Sequence, residues 1–192
     1  MLLFYVNANA IIIGRNQNTV EEIATDVVEA RGVQVVRRIS GGGAVYHDRG
    51  NLNFSVMTPD VADRFNRYDH VTRPVIDVLQ DLGVPAALGG RNDILADGRK
   101  ISGNAQFATP SRMLSHGTLL LDSDLDDVTA VLRPRPGKVE SKGVKSIRSR
   151  VANISEFLAA PVTVDELRER ILERIFGTRD RARIPQVELT DA

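Results

Sequence analysis

Lys100 stands just past a tight turn and directly before Ile101-Ser102-Gly103-Asn104-Ala105. A cation there can be an ordinary solvated lysine, as most lysines are. It can also be a fixed charge that neutralises negative charge developing on phosphate during acyl transfer. Spacing alone does not choose, but the small Ser102-Gly103 pair permits close backbone approach and tilts the reading toward a ligand. A second candidate is the run Arg37-Arg38-Ile39-Ser40-Gly41-Gly42-Gly43-Ala44-Val45-Tyr46-His47. Consecutive glycines between two strands let the backbone turn sharply, and the freed N–H groups can hold an anion. The arginine pair entering the turn can bind phosphate or carboxylate bidentately. An exposed, flexible hairpin is the bland alternative. It would use two turn residues at lower entropic cost than three glycines.

Asn92-Asp93 is open between a turn with a strand start and an adenine or Mg²⁺ contact, since nucleotide-bound Mg²⁺ is held by one or two carboxylates plus phosphates. His116, on an apolar strand, and His47 read first as satisfied buried histidines rather than bases. Residues 138–150 are basic without interleaved aromatics, which speaks against single-strand stacking. They suit an acidic protein partner or a flap over phosphate. No Ser/His/Asp set or metal-ligand cluster stands out. The 192 residues contain no cysteine, which removes disulfides, zinc–thiolate sites and a thiol nucleophile.

The elements that must position these groups follow from periodicity. Residues 2–6 and 10–13 predict strands, and Asn18 with Glu21 predicts the capped start of a helix whose stripe is Val20, Ile23, Val27 and Val28 and whose stop is Gly32. Residues 33–39 and 53–57 predict strands, and 68–82 a helix with Val71, Val75, Val78, Leu79 and Leu82 inward. Pro74 should sit in its first turns or kink it. Residues 92–121 predict a β meander with Asp97-Gly98 as a hairpin turn. A short helix at 124–132 follows, then a Pro/Lys/Arg-rich loop at 133–150. A last helix starts at Thr163 with Glu166 as its capping-box partner, carries Val164, Leu167, Ile171 and Ile175 inward, and ends at Gly177. Adjacent strands with interspersed helices argue for a mixed sheet of α+β type rather than a doubly wound fold.

Composition is that of a soluble globular protein, 42% hydrophobic and 26% charged. The formal net charge is zero, so no global field draws in nucleic acid. No apolar run reaches membrane-spanning length and the start lacks the features of a secretory signal, while the absence of cysteine fits a cytoplasmic protein.

Taken in order, the motifs resemble the lipoate–protein ligase A family of the wider biotin/lipoate ligase superfamily. They are Ile13-Gly14-Arg15-Asn16-Gln17-Asn18, the arginine–glycine run through Asp48, Gly90-Arg91-Asn92-Asp93, Lys100-Ile101-Ser102-Gly103-Asn104-Ala105, His116-Gly117-Thr118-Leu119-Leu120, and the basic run from Lys142-Gly143-Val144-Lys145 to Val151. The resemblance implies a mixed β-sheet with a smaller second sheet and flanking helices. It implies ATP-dependent activation of lipoate to lipoyl-adenylate with Mg²⁺ and release of pyrophosphate. The lipoyl group then passes to a lysine of a lipoyl domain, as in 2-oxoacid dehydrogenase complexes, or of the glycine-cleavage H protein. By the same resemblance, Arg38, Gly43, Ala44, Val45, Tyr46, Asn92 and Asp93 would contact the nucleotide or adenylate. Arg38, Gly42 and His47 would contact lipoate, Asp93 would hold the metal, and Lys100 would reach both the α-phosphate and the lipoyl carbonyl.

The resemblance places the catalytic domain at residues 1–177 and a tail at 178–192. It implies a missing N-terminal helix before Leu2 and an absent C-terminal accessory domain. A chain so cut is expected to be marginally stable or self-associating and weak in transfer. One rival is an octanoyl or lipoyl transferase of the same fold, whose branches use a cysteine that this chain lacks. A rival of another class is a non-catalytic module that binds an adenylate or a lipoyl domain.

Overall fold

The two opening apolar runs become strands, β1 (Leu2–Tyr5) and β2 (Ala10–Ile13), but they enter different sheets. The computed structural model describes residues 1–59, 64–132 and 150–188. Most of the basic run therefore lies outside the described residues, with only its end, Arg150 and Val151, inside them. Next come short helices α1 (Thr19–Glu22) and α2 (Thr25–Ala30), then strands β3 (Gln34–Arg37), β4 (Val45–His47) and β5 (Asn51–Thr58). Helix α3 (Tyr68–Asp81) leads into the meander β6 (Ala86–Gly89), β7 (Asp93–Ala96), β8 (Arg99–Ala108) and β9 (Met113–Leu120). Helices α4 (Leu125–Val131) and α5 (Val164–Phe176) follow.

The larger sheet has six strands in the order β1-β5-β9-β8-β7-β6, with antiparallel pairing throughout. The smaller has the order β3-β2-β4, parallel on one side of β2 and antiparallel on the other. The expected mixture of strand directions thus resides in the small sheet. Asp97 and Gly98 both have positive φ, 46° and 74°, as a two-residue hairpin turn requires. One face of the large sheet packs against α3 and α5 through a core in which Leu79, Ile101, Leu119, Leu167 and Ile171 are fully buried. Burying a side chain of this size contributes about 1.5–3 kcal/mol. A second core lies under the small sheet, where Ile11, Ile13 and Tyr46 meet Val28, Val128 and Val131.

Two expectations need correction, and one strand lies where none was expected. The first helix is broken at Ile23-Ala24, because Ile23 bridges to Leu132 and the Ala24 N–H donates to the Val131 carbonyl. Tertiary pairing takes those backbone groups, and Val20 is left 66% exposed. In α5 the inward stripe is Leu167, Ile171 and Leu172, with Ile175 turned outward at 41% exposure. Strand β6 carries no alternation long enough to find and is held by its hairpin with β7. Other boundaries match: Pro74 lies within α3 without ending it, the Thr163 hydroxyl accepts from the Glu166 N–H, and Gly177 ends α5 with φ 68°.

Candidate active site

The cleft lies between the open face of the large sheet and the inner face of the small one. Strand alternation sorts its lining. In β9, Met113, Ser115, Gly117 and Leu119 are buried, whereas Leu114, His116 and Thr118 on the opposite face are only half-buried. In the small sheet, Ile11 and Tyr46 pair on the core side, while Ile12 and Val45 pair on the cleft side. A transverse row crosses the large sheet: Tyr5 opposite Asn53, Asn53 opposite Thr118, the Gly103 N–H 3.4 Å from the Thr118 hydroxyl, and Gly103 opposite Asp93.

Lys100 owes its place in this row to a β-bulge. The β7–β8 register shifts between Ile94 and Leu95, so that Ile94 faces Ser102 while Leu95 faces Lys100, and Ile101 is the extra residue. A bulge re-aims side chains that strict alternation would send the other way. Lys100 thereby lies over Gly103, and its Nζ is 2.8 Å from Asp93 Oδ1. Its backbone is held from a second side, donating to the Arg150 carbonyl and accepting from the Ala152 N–H.

A Cβ on Gly103 would come within 2.7 Å of Lys100 Nζ and 2.8 Å of Cε. The ammonium occupies the space where that side chain would be. Gly103→Ala should therefore leave the fold intact, since the end of a lysine can move, yet displace the cation. Displacement on the order of 1 Å can slow chemistry by roughly a hundredfold. In a Lys100→Ala background the same substitution should cost nothing further. A double-mutant cycle on adenylate formation checks this, and equal losses in both backgrounds would contradict it.

The glycine turn is held by arginine. Arg38 donates from Nε to the Ser40 hydroxyl and the Gly41 carbonyl, from Nη1 to the Ile12 carbonyl, and from Nη2 to the Gly41 and Gly43 carbonyls. Burial lowers its pKa from the ordinary arginine value. Gly42 has φ 101°, and a Cβ there would lie 2.8 Å from Arg38 Nη2. The two arginines divide their work: Arg37 reaches the carbonyls of Gly14, Arg15 and Gln17 and the Thr19 hydroxyl, shaping the neighbouring loop. The two loops touch, since a Cβ on Gly14 would meet the Gly42 carbonyl oxygen at 2.1 Å.

Two histidines face the cleft. His116 Nε2 is 2.6 Å from the Ser40 hydroxyl. Burial, reinforced by the Arg38 charge, lowers both His47 and His116 to about 4. At neutral pH both are neutral and present hydrogen-bonding edges rather than charge.

The cleft brings together Arg38, Gly42, Gly43, Ala44, Val45, His47, Asn92 and Lys100, with Asp93 against Lys100. Tyr46 is turned away: its ring is in the second core and its hydroxyl donates to Asp127, so only its backbone can serve a ligand. Tyr5, Asn53, Asn104, His116 and Thr118 also line the cleft, although none of them is assigned a site role from the motifs. Alternation of polar residues along β5 and β9 was the available signal. Asn92 and Asn104 are mutually tied, each side-chain amide donating to the other's backbone carbonyl. Among the described residues no group of three His, Asp or Glu side chains is arranged to hold a metal. The single carboxylate of Asp93 fits a Mg²⁺ held mainly by phosphate oxygens. No helix among the described residues is long and apolar enough to cross a membrane.

The sequence matches the family model of the lipoyl protein ligase A/B catalytic domain over residues 1–176. It is 60% identical over 190 residues to lipoate-protein ligase LplJ of Bacillus subtilis, covering 99% of this chain and 57% of that protein. Among solved structures, the bi-partite lipoate protein ligase of Thermoplasma acidophilum, described with its E2 lipoyl domain, superposes with a TM-score of 0.83 at 36% identity, over 92% of this chain and 69% of that one. A lipoate-protein ligase A bound with ATP gives 0.77 at 33% identity, over 92% and 71%. The chain thus spans about half the length of the curated relatives it matches.

Proposed function

Because the chain belongs to the lipoyl protein ligase A/B catalytic-domain family, we propose that it activates lipoate with ATP and passes the lipoyl group to a lysine of a lipoyl-domain protein. Residues 1–177 form the catalytic domain in this reading, working in the cytoplasm. The observation that carries it is Lys100, a cation fixed over Gly103 and beside Asp93 on the cleft floor.

In the first step a lipoate carboxylate oxygen attacks the α-phosphorus of ATP and pyrophosphate leaves. In the second the acceptor lysine amine attacks the acyl carbon, AMP leaves and an amide forms. Both steps build negative charge on oxygens bonded to the α-phosphorus or the acyl carbon. A positioned ammonium stabilises that charge best in a site from which water is largely excluded. Lys100 takes this role. The turn formed by Gly42, Gly43, Ala44 and Val45, with Arg38 holding its shape, offers backbone N–H groups to the phosphate. Asn92 and the backbone of Tyr46 contribute to the nucleotide side. Mg²⁺, held by Asp93 together with phosphate oxygens, would neutralise charge on the triphosphate. Arg38, Gly42 and His47 line the lipoate side of the cleft.

The acceptors in this reading are the lipoyl domains of 2-oxoacid dehydrogenase complexes and the glycine-cleavage H protein. The relative from Thermoplasma acidophilum, described with an E2 lipoyl domain, supports that class of partner. With no cysteine among the 192 residues, the activated acyl group is an adenylate and not an enzyme thioester. Lipoylation of an isolated lipoyl domain should therefore require ATP and survive prior treatment of the enzyme with a thiol alkylator. Transfer from an acyl carrier protein without ATP would overturn the assignment in favour of a transferase.

A further inference from the structure

The segment linking β1 to β2 crosses from the large sheet to the small one, and its Asn7 reaches a residue of the cleft wall. Asn7 Nδ2 is 2.9 Å from His47 Nδ1. An amide NH₂ only donates, so Nδ1 must accept. A neutral imidazole accepting at Nδ1 carries its proton on Nε2. His47 is 4% exposed, lines the cleft, and its Nε2 is buried with no partner among the described residues. A buried N–H without a partner is costly, and such groups are rare.

We propose that Asn7 is a positioning residue that fixes the tautomer of His47, so that the His47 Nε2–H is a donor reserved for an oxygen of the bound substrate. The inference rests on the reading of the cleft as a lipoate- and ATP-binding site, and it adds a residue outside the motifs that define that site. The neutral state on which a tautomer depends is secured by burial and by the nearby Arg38 charge. A neutral donor suits this position: it recognises an acceptor oxygen without adding a further positive charge beside Arg38 and Lys100. The oxygen can belong to the lipoate carboxylate or to a nucleotide phosphate, and the two are separable by adding each ligand alone.

The test is ¹⁵N-detected histidine NMR at neutral pH on the whole chain, assigned by loss of the His47 signals in His47→Gln. The expected result is an Nε2–H tautomer for His47 whose Nε2 resonance shifts on adding lipoate alone or a non-hydrolysable ATP analogue alone. The ligand that moves it identifies the oxygen. Asn7→Asp supplies an acceptor to Nδ1 and should reverse the tautomer. It should also raise the KM of the corresponding ligand about tenfold or more, the loss typical of one buried hydrogen bond to a charged group, with a smaller change in kcat. An Nδ1–H tautomer in the unmodified chain, or a His47 signal indifferent to both ligands, overturns the proposal even if Asn7→Asp does not fold. Unchanged tautomer and KM in a folded Asn7→Asp also overturns it. If lipoate is activated while His47 stays unperturbed, this inference alone fails. If His47 responds to lipoate but no adenylate forms, the proposed reaction fails and the donor role stands.

Discussion

Lys100→Ala is expected to leave the chain folded and to lower lipoyl-adenylate formation by roughly a hundredfold or more, the usual loss when one preorganised electrostatic contact to a transition state is removed. The fold should survive for two reasons. The backbone bonds of Lys100 to Arg150 and Ala152 do not involve its side chain. Its ion pair with Asp93 joins groups that are about one-third exposed, where such a pair contributes only about 0–1 kcal/mol. Thermal unfolding should therefore be almost unchanged while lipoate-dependent pyrophosphate release collapses. Near-normal release from the folded variant would remove Lys100 from the reaction and leave the cleft without its assigned cation.

Gly42→Val should abolish ligand binding. Valine is strained at φ 101°, at a cost of about 1–3 kcal/mol. Its Cβ would press on Arg38 Nη2. The guanidinium has little freedom to withdraw, because it is tied to the Ile12, Gly41 and Gly43 carbonyls. Nor can the turn shift toward Gly14, against which the Gly42 carbonyl already sits. The thermal shift produced by ATP plus lipoate should vanish in this variant. Gly41→Ala is the control: no neighbouring atom lies within 4 Å of a Cβ there and its φ is not positive, so the protein should fold normally. An undiminished ligand-induced shift in Gly42→Val would show that the turn is only a connection between strands.

The features of the fold and the cleft that are legible in the sequence are those governed by local rules. The Asp97-Gly98 turn fixes the β7–β8 hairpin through two positive φ values, and the Thr163 cap with Gly177 bounds α5. The glycine run announced close approach, although what approaches Gly42 is the chain's own Arg38. Features set by one extra residue or by distant pairing were not legible. The bulge at Ile101 puts Lys100 on the same face as Gly103, which a period of two forbids. The break between α1 and α2 depends on Leu132, more than a hundred residues away. Tyr46 and His47 are neighbours that point to opposite faces, so one belongs to the second core and the other to the cleft. The motif alone could not separate them, but the register of β4 with β2 does.

The first step is measured by incubating the chain with lipoate, ATP and Mg²⁺, without any acceptor protein, and quantifying lipoyl-adenylate and pyrophosphate together. The proposed Lys100-dependent ligation requires equimolar formation of the two, dependent on both lipoate and ATP and lost in Lys100→Ala. Binding of both ligands without adenylate, or adenylate formation undiminished in Lys100→Ala, would contradict it.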